Sequence, residues 1–313
     1  MAGRKQKSEI RTPGKAGAGA VTATGAEASG SNQVLLLPLF LAAALLTVSL
    51  HPRIQESVVL VSSFRGAALF LLAWLVLLFV QLKQRGELRS VQLVLRPQHY
   101  IQAMVQSSVY LYWGYYWSPV YDYFWLLVGQ LLFAFGFDML LAWSRRTQYT
   151  LGFGPFPIIL SINLFLWFRD DWYYLQFLMI AAGILGKEYV RWQREGRRVH
   201  IFNPSAFALG LFSLILIATG TTDLTWGVAI ASTLTLALNI YTFLFLVGLV
   251  VMYFFSITLV AGMAAITLFG LSALHSAVTG LPYFIDSEIP AAVFLGLHLL
   301  VTDPSTSPRT PLG

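Results

Sequence analysis

Between Lys187 and Leu211 the chain reads KEYVRWQREGRRVHIFNPSAFALGL, with five cations (Lys187, Arg191, Arg194, Arg197, Arg198), then His200, then Asn203-Pro204 and an apolar segment. This set could hold an anion. Asparagine favours the helix N-cap and proline the first helical position, so the dipeptide predicts a helix start with backbone N–H groups facing the basic loop. Such a terminus attracts a phosphate or a carboxylate. The same residues equally make a plain capped helix beside a loop whose charge orients a membrane segment. His200 could contact a phosphate or sit solvated in the loop.

Other polar residues stand alone in apolar surroundings. Asp138 lies late in an apolar segment, where desolvation makes a carboxylate costly. It suits transport or proton relay, or a structural pairing with Arg145 or Arg146 one to two turns away. Asn163 and Asn239 are expected to hydrogen-bond between helices. His275 and His298 have no neighbour at metal-ligand spacing, so no metal site is expected. Near the end, Thr302-Asp303-Pro304 follows an apolar segment directly, and Asp303 suits an N-cap or a functional acid at a helix break. No Ser/His/Asp set and no phosphate-binding Gly-Lys-Thr/Ser loop is visible.

These residues sit on elements that composition assigns to a bilayer. Hydrophobic residues make up 57% of the chain and charged ones 11%, with a mean hydropathy of +0.69. A soluble domain has about 25% charged residues. The absence of cysteine excludes disulfides, thiolate catalysis and iron–sulfur clusters held by this chain. The net charge of +6 sits in short loops between apolar segments, a pattern of membrane orientation, and no nucleic-acid partner is expected.

Residues 1–33 are expected to form a disordered basic tail and residues 34–313 a multi-helix transmembrane domain. Apolar segments recur at 34–50, 66–82, 100–117, 120–143, 155–168, 172–186 and 205–219. The uncharged interval after Asp223 is cut at 226–246 and 247–269, and 289–301 is a last short segment. Several are shorter than the ~17–25 residues of a spanning helix, which suggests half-spanning or broken helices around a midplane site. Gly154-Pro155-Phe156-Pro157 and Asn203-Pro204 open two of them in similar fashion, a weak internal repeat. With the N-terminus inside and segments alternating, regions 1–33, 83–99, 144–154 and 187–203 hold 5, 4, 2 and 5 of the 20 Lys and Arg residues. This predicts a multi-pass protein with a cytoplasmic N-terminus. Tyr110, Tyr112, Trp113, Tyr115, Tyr116, Trp117, Tyr121 and Tyr123 would then form an aromatic belt on the outer side.

Three blocks in order carry a resemblance: Lys187-Glu188 with the basic loop, His200-Ile201-Phe202-Asn203-Pro204-Ser205-Ala206, and Thr302-Asp303-Pro304-Ser305-Thr306-Ser307-Pro308. Together, over roughly residues 130–313, they resemble the NqrB/RnfD family of bacterial membrane proteins, whose RnfD-like members belong to RnfABCDGE-type electron transport complexes. The resemblance implies an all-α polytopic fold, with about ten transmembrane or half-spanning helices in two inverted repeats, similar to urea transporters. It implies the bacterial inner membrane, other proteins as partners in a membrane complex, and electron transfer coupled to ion movement, in which this chain could be a non-catalytic component of a membrane oxidoreductase. It places His200, Asn203 and Pro204 at one helix break and Thr302, Asp303 and Pro304 at another, as the cofactor-binding residues. Family members attach FMN to the threonine of a Ser-Gly-Ala-Thr stretch downstream of the Asn-Pro motif. Gly220 to Thr235 has no such tetrapeptide. The cofactor expected is therefore noncovalent FMN or riboflavin, in a divergent, UnbU-like branch associated with enediyne biosynthesis clusters. Because members continue beyond the Thr-Asp-Pro block, the resemblance also implies a C-terminally incomplete chain. The alternatives are a redox-inactive transporter or channel for a small solute, and a membrane anchor subunit.

Overall fold

Ser57 accepts hydrogen bonds from the Val59 and Leu60 N–H groups, and Gly86 closes the other end in the left-handed conformation, with Lys83 and Arg85 in the last turn. These signals frame a 28-residue helix, α3 (Val58–Arg85), which begins eight residues before the apolar segment expected at 66–82. The computed structural model describes residues 32–194, 197–283 and 290–301. Residues 1–31 of the expected basic tail, and Thr302, Asp303 and Pro304, lie outside the described residues.

Around α3 pack α1 (Leu36–Val48), the one-turn α2 (Pro52–Gln55), α6 (Phe124–Trp143) and α8 (Tyr174–Tyr189), and α4 (Pro97–Tyr116), α5 (Pro119–Asp122), α7 (Pro155–Asn163) and α9 (Pro204–Thr219) join the bundle through α6 and α8 and through one another. The later chain forms α10 (Gly227–Thr233), α11 (Ile240–Phe255), α12 (Thr258–Thr279) and α13 (Pro290–Leu299). Among the described residues three helices, α3, α6 and α12, are long and apolar enough to cross a membrane. The outer sides of α3 and α12 stay apolar, with Leu69, Phe70, Leu77, Leu259, Ile266 and Val278 all exposed. A helix that is apolar on its outer as well as its packed side suits lipid.

The body is helical, as expected, but the cationic loops are not irregular. β1 (Ser90–Leu93) pairs in parallel with β2 (Gln148–Leu151), Ser90 opposite Gln148. β3 (Arg191–Arg194) and β4 (Arg197–His200) form an antiparallel pair with Arg191 opposite His200. Gly152 permits the first pairing to close, since a Cβ there would lie 2.5 Å from the Val94 carbonyl oxygen. The β1–β2 pair ties loop 83–99 to loop 144–154, and the Arg145 and Arg146 ion pairs with Glu188 bring the start of 187–203 to the same end, three of the four regions that charge counting places on one side.

Two expected segment boundaries are corrected. α7 stops at Asn163, and the chain runs on without helix through Leu164–Phe168 to a short 3-10 turn at Asp170–Trp172. The unwound stretch is held against the chain after α9: Arg169 N donates to Leu224 O, Trp226 N donates to Trp167 O, and Phe168 bridges Thr225. The uncharged interval breaks at Ser256 (φ 55°) and not at 246/247, giving α11 and α12. A left-handed non-glycine residue ends a helix and redirects the chain.

The aromatic belt also divides. Trp113 is fully buried and Tyr110 nearly so. The Tyr110 hydroxyl donates to Leu160 O at 2.8 Å, and Trp113 Nε1 donates to Thr233 Oγ1 at 3.2 Å. Tyr112 stacks on Phe243 at 4.2 Å, joining α4 to α11, while Tyr115 remains exposed. Part of the expected belt is therefore packing, because one α4 face meets α7 and α11.

Candidate functional site

At the cationic end a cavity of about 410 Å³ opens between the starts of α4, α7 and α9 and the ends of α6 and α8. Each of the three starts has proline at its first turn. Pro97 follows Arg96, Pro155 follows Gly154, and Pro204 follows Asn203. α4 and α7 have no side-chain cap. α9 is capped: Asn203 Oδ1 accepts from Ser205 N at 2.9 Å and Ala206 N at 3.4 Å. The capped-start reading of Asn203 thus describes its carbonyl oxygen. Its amide nitrogen does something the sequence does not reveal, donating to Leu300 O at 3.2 Å. That bond joins the start of α9 to the chain immediately before Thr302.

Two carboxylates organise the wall. Glu188, 9% exposed, accepts from Arg145 at 3.2 Å, Arg146 at 2.7 Å and Arg191 at 2.6 Å. Asp138 pairs with Lys187 at 3.3 Å and accepts from the Tyr149 hydroxyl at 3.1 Å. This corrects the pairing of Asp138 with Arg145 or Arg146, which both turn to Glu188. Burial first, and the neighbouring Asp138 charge second, push the Tyr149 phenol well above its ordinary range, so it stays a donor. The wall has a net cationic excess: Arg96, Arg146, Lys187, Arg191 and Arg198 against Asp138 and Glu188. His99 and His200 also line it.

Close helix packing shapes the cavity. A Cβ at Gly183 would come within 3.0 Å of the Pro204 carbonyl oxygen and 3.3 Å of Ala208 Cβ, so α8 and α9 approach closely beside the Asn-Pro start. Ser205 and Pro204 are buried in that contact.

A second polar group lies deep in the bundle, where α7 ends. Asn163 Nδ2 donates to Gln130 Oε1 at 2.6 Å, and Asn163 Oδ1 accepts from Gln130 Nε2 at 3.1 Å and Gln176 Nε2 at 3.2 Å. Gln176 Oε1 accepts from Phe168 N, which supplies a partner to unwound backbone, and the Tyr173 hydroxyl accepts from Gln130 at 2.7 Å. Asn163 therefore joins α6, α7 and α8. Asn239 does not lie within a helix: it precedes α11 at φ 54° with no side-chain cap bond, a correction to its expected place inside a span.

The structure thus brings His200, Asn203, Pro204 and Asp138 to one cavity and leaves Asn163 in a separate buried cluster. His298 packs on Gly248 and bonds Phe294 O, and His275 lies on α12. Among the described residues no three His, Asp or Glu side chains group as metal ligands. Gln102, Gln130 and Gln176 are polar residues that sequence reasoning passed over, and Glu188 was singled out only as part of the resemblance. The available signal is an uncharged amide inside an apolar segment, which is costly unless satisfied. At the opposite end Arg53 pairs with Asp170 at 3.0 Å and Glu56 at 3.1 Å. Burial works against its charge, but these carboxylates prevail and hold the guanidinium above its ordinary value. Arg169 lies 4.5 Å over the Trp226 ring.

No protein-family model, no curated protein and no solved structure matches this chain.

Proposed function

We propose that this chain is an integral subunit of NqrB/RnfD type in the bacterial inner membrane, taking part in electron transfer coupled to ion transport, with flavin bound noncovalently. The observation that carries the reading is the Asn203 Nδ2 to Leu300 O bond. It sets one block of the resemblance, residues 200–206, against the approach to another at Thr302. The first block, Lys187-Glu188, lies on the wall of the cavity that Asn203 also lines.

The cavity suits a flavin in size, within the ~300–1,000 Å³ of small-molecule sites. Gln102, His99 and Tyr149 would flank the bound group, and Asn203 and Pro204 would hold the helix start beneath it. The flavin would supply one- and two-electron chemistry. The Glu188 and Asp138 ion pairs keep the wall rigid, and Tyr149 keeps its proton beside Asp138. An absorbance and fluorescence spectrum of the detergent-purified protein, taken before and after acid precipitation, tests this. Flavin in the acid supernatant is expected. A preparation with no flavin, and no redox activity with candidate partners, would refute it.

A second reading, a redox-inactive transporter for a small solute, is favoured by the broken helix α7 and the Gln130, Asn163 and Gln176 cluster at its end. Solute uptake by proteoliposomes containing chromophore-free protein would support it over the first.

A further inference from the structure

We infer that the cavity between α4, α7 and α9 is a binding site for the phosphate group of a small phosphate monoester. This site shares its cavity with the flavin reading but rests on charge and unused hydrogen-bonding capacity, whatever the rest of the ligand is.

Charge is the first argument. Both wall carboxylates are already engaged, Glu188 by Arg145, Arg146 and Arg191 and Asp138 by Lys187 and Tyr149. Arg96 and Arg198 also line the cavity, and neither forms an ion pair among the described residues. Two uncommitted guanidiniums match the charge of a phosphate monoester, about −1.5 to −2 at neutral pH, and their planar forks suit its oxygens. The second argument is Gln102. It is 6% exposed, lines the cavity, and its side chain has no hydrogen-bond partner among the described residues. Its amide atoms are not sealed in the core but open onto the cavity. A ligand in the cavity would satisfy them. Third, the positive ends of three helices of 20, 9 and 16 residues converge on the same space, two without side-chain caps. The volume exceeds what a bare anion needs, and Val94 and Ile158 add apolar wall for an organic part.

The test uses full-length protein in a neutral, phosphate-free detergent. Inorganic phosphate, FMN and riboflavin are titrated separately by calorimetry, with Arg96→Ala, Arg198→Ala and Gln102→Leu as variants. Both arginines are exposed, so their replacement leaves the packed core intact. FMN is expected to bind at least about tenfold more tightly than riboflavin, and phosphate to compete with FMN. Each arginine variant should weaken FMN and phosphate about tenfold, the weight of one charge-assisted hydrogen bond, and leave riboflavin unchanged. Repeating the phosphate titration in nanodiscs of phosphatidylcholine with or without phosphatidic acid separates the sources. Loss of binding with phosphatidic acid assigns the phosphate group to a lipid headgroup, and retention assigns it to a soluble ester. Riboflavin binding equal to FMN, phosphate binding indifferent to both arginine variants, or no phosphate binding at all would overturn the inference. Absence of co-purifying flavin together with absence of redox activity sinks the flavin reading alone and leaves the phosphate titration decisive.

Discussion

Asn203 does two separable things, and two substitutions distinguish them. Its Oδ1 caps α9 through Ser205 N and Ala206 N, and its Nδ2 donates to Leu300 O. Losing an N-cap costs about 1 kcal/mol, and losing a net hydrogen bond costs about 1 kcal/mol. Asn203→Ala removes both and should destabilise the protein by about 2 kcal/mol. Asn203→Ser keeps a good capping oxygen but is too short to reach Leu300, so about 1 kcal/mol should be lost. The assay is unfolding in mixed micelles with rising SDS, followed by the fluorescence of the nine tryptophans. In both variants α13 should also become more accessible to protease. If Ser proved as damaging as Ala, the cap would contribute nothing. If both stayed within about 0.5 kcal/mol of the parent, as surface substitutions do, Asn203 would not join the two regions at all.

Three further outcomes follow from the packing. Glu188→Gln leaves three arginines facing a neutral group, but their side chains are 39, 49 and 26% exposed. Solvent screening brings the expected loss to about 1–2 kcal/mol, below the ~3–5 of a wholly buried pair, and stability should become more salt-dependent in the same SDS titration. Asn163→Leu leaves Gln130 Oε1 with no partner inside the bundle and should cost about 1–3 kcal/mol; no measurable loss would place water in that cluster. Gly183→Leu forces α8 away from Pro204 and should cost about 1–3 kcal/mol while weakening FMN binding; a stable variant with unchanged binding would contradict the close approach.

What could be read from the sequence was what local chemistry decides. Asn203-Pro204 starts a helix because both preferences act within two residues. Loops 83–99, 144–154 and 187–203, grouped by their cations, do lie at one end, where the β1–β2 pairing and the cavity bring them together. Partner choice was not legible. Asp138 has arginines one to two turns away, yet takes Lys187 from another helix, because Glu188 on α8 draws Arg145 and Arg146. Helix ends lacking glycine or proline were equally hidden. Asn163 ends α7, and Ser256 separates α11 from α12, inside stretches whose hydropathy does not change. The tyrosines of α4 read as an interfacial belt, but which of them turned inward depended on α7 and α11, far away in sequence.

The proposed function requires the cavity to face the cytoplasm while the end of α9 and the 3-10 turn at Asp170–Trp172 face outward. The chain has no cysteine, so single substitutions give a clean label. Thr150 is exposed on β2 at the cavity rim, and Thr222 is exposed beyond the far end of the 16-residue helix α9, which is about 24 Å long and starts at the cavity. A membrane-impermeant maleimide should label Thr150→Cys only in inside-out vesicles and Thr222→Cys only in right-side-out ones. Labelling of both from the same side, or in the reverse pattern, would contradict a cavity open to the cytoplasm.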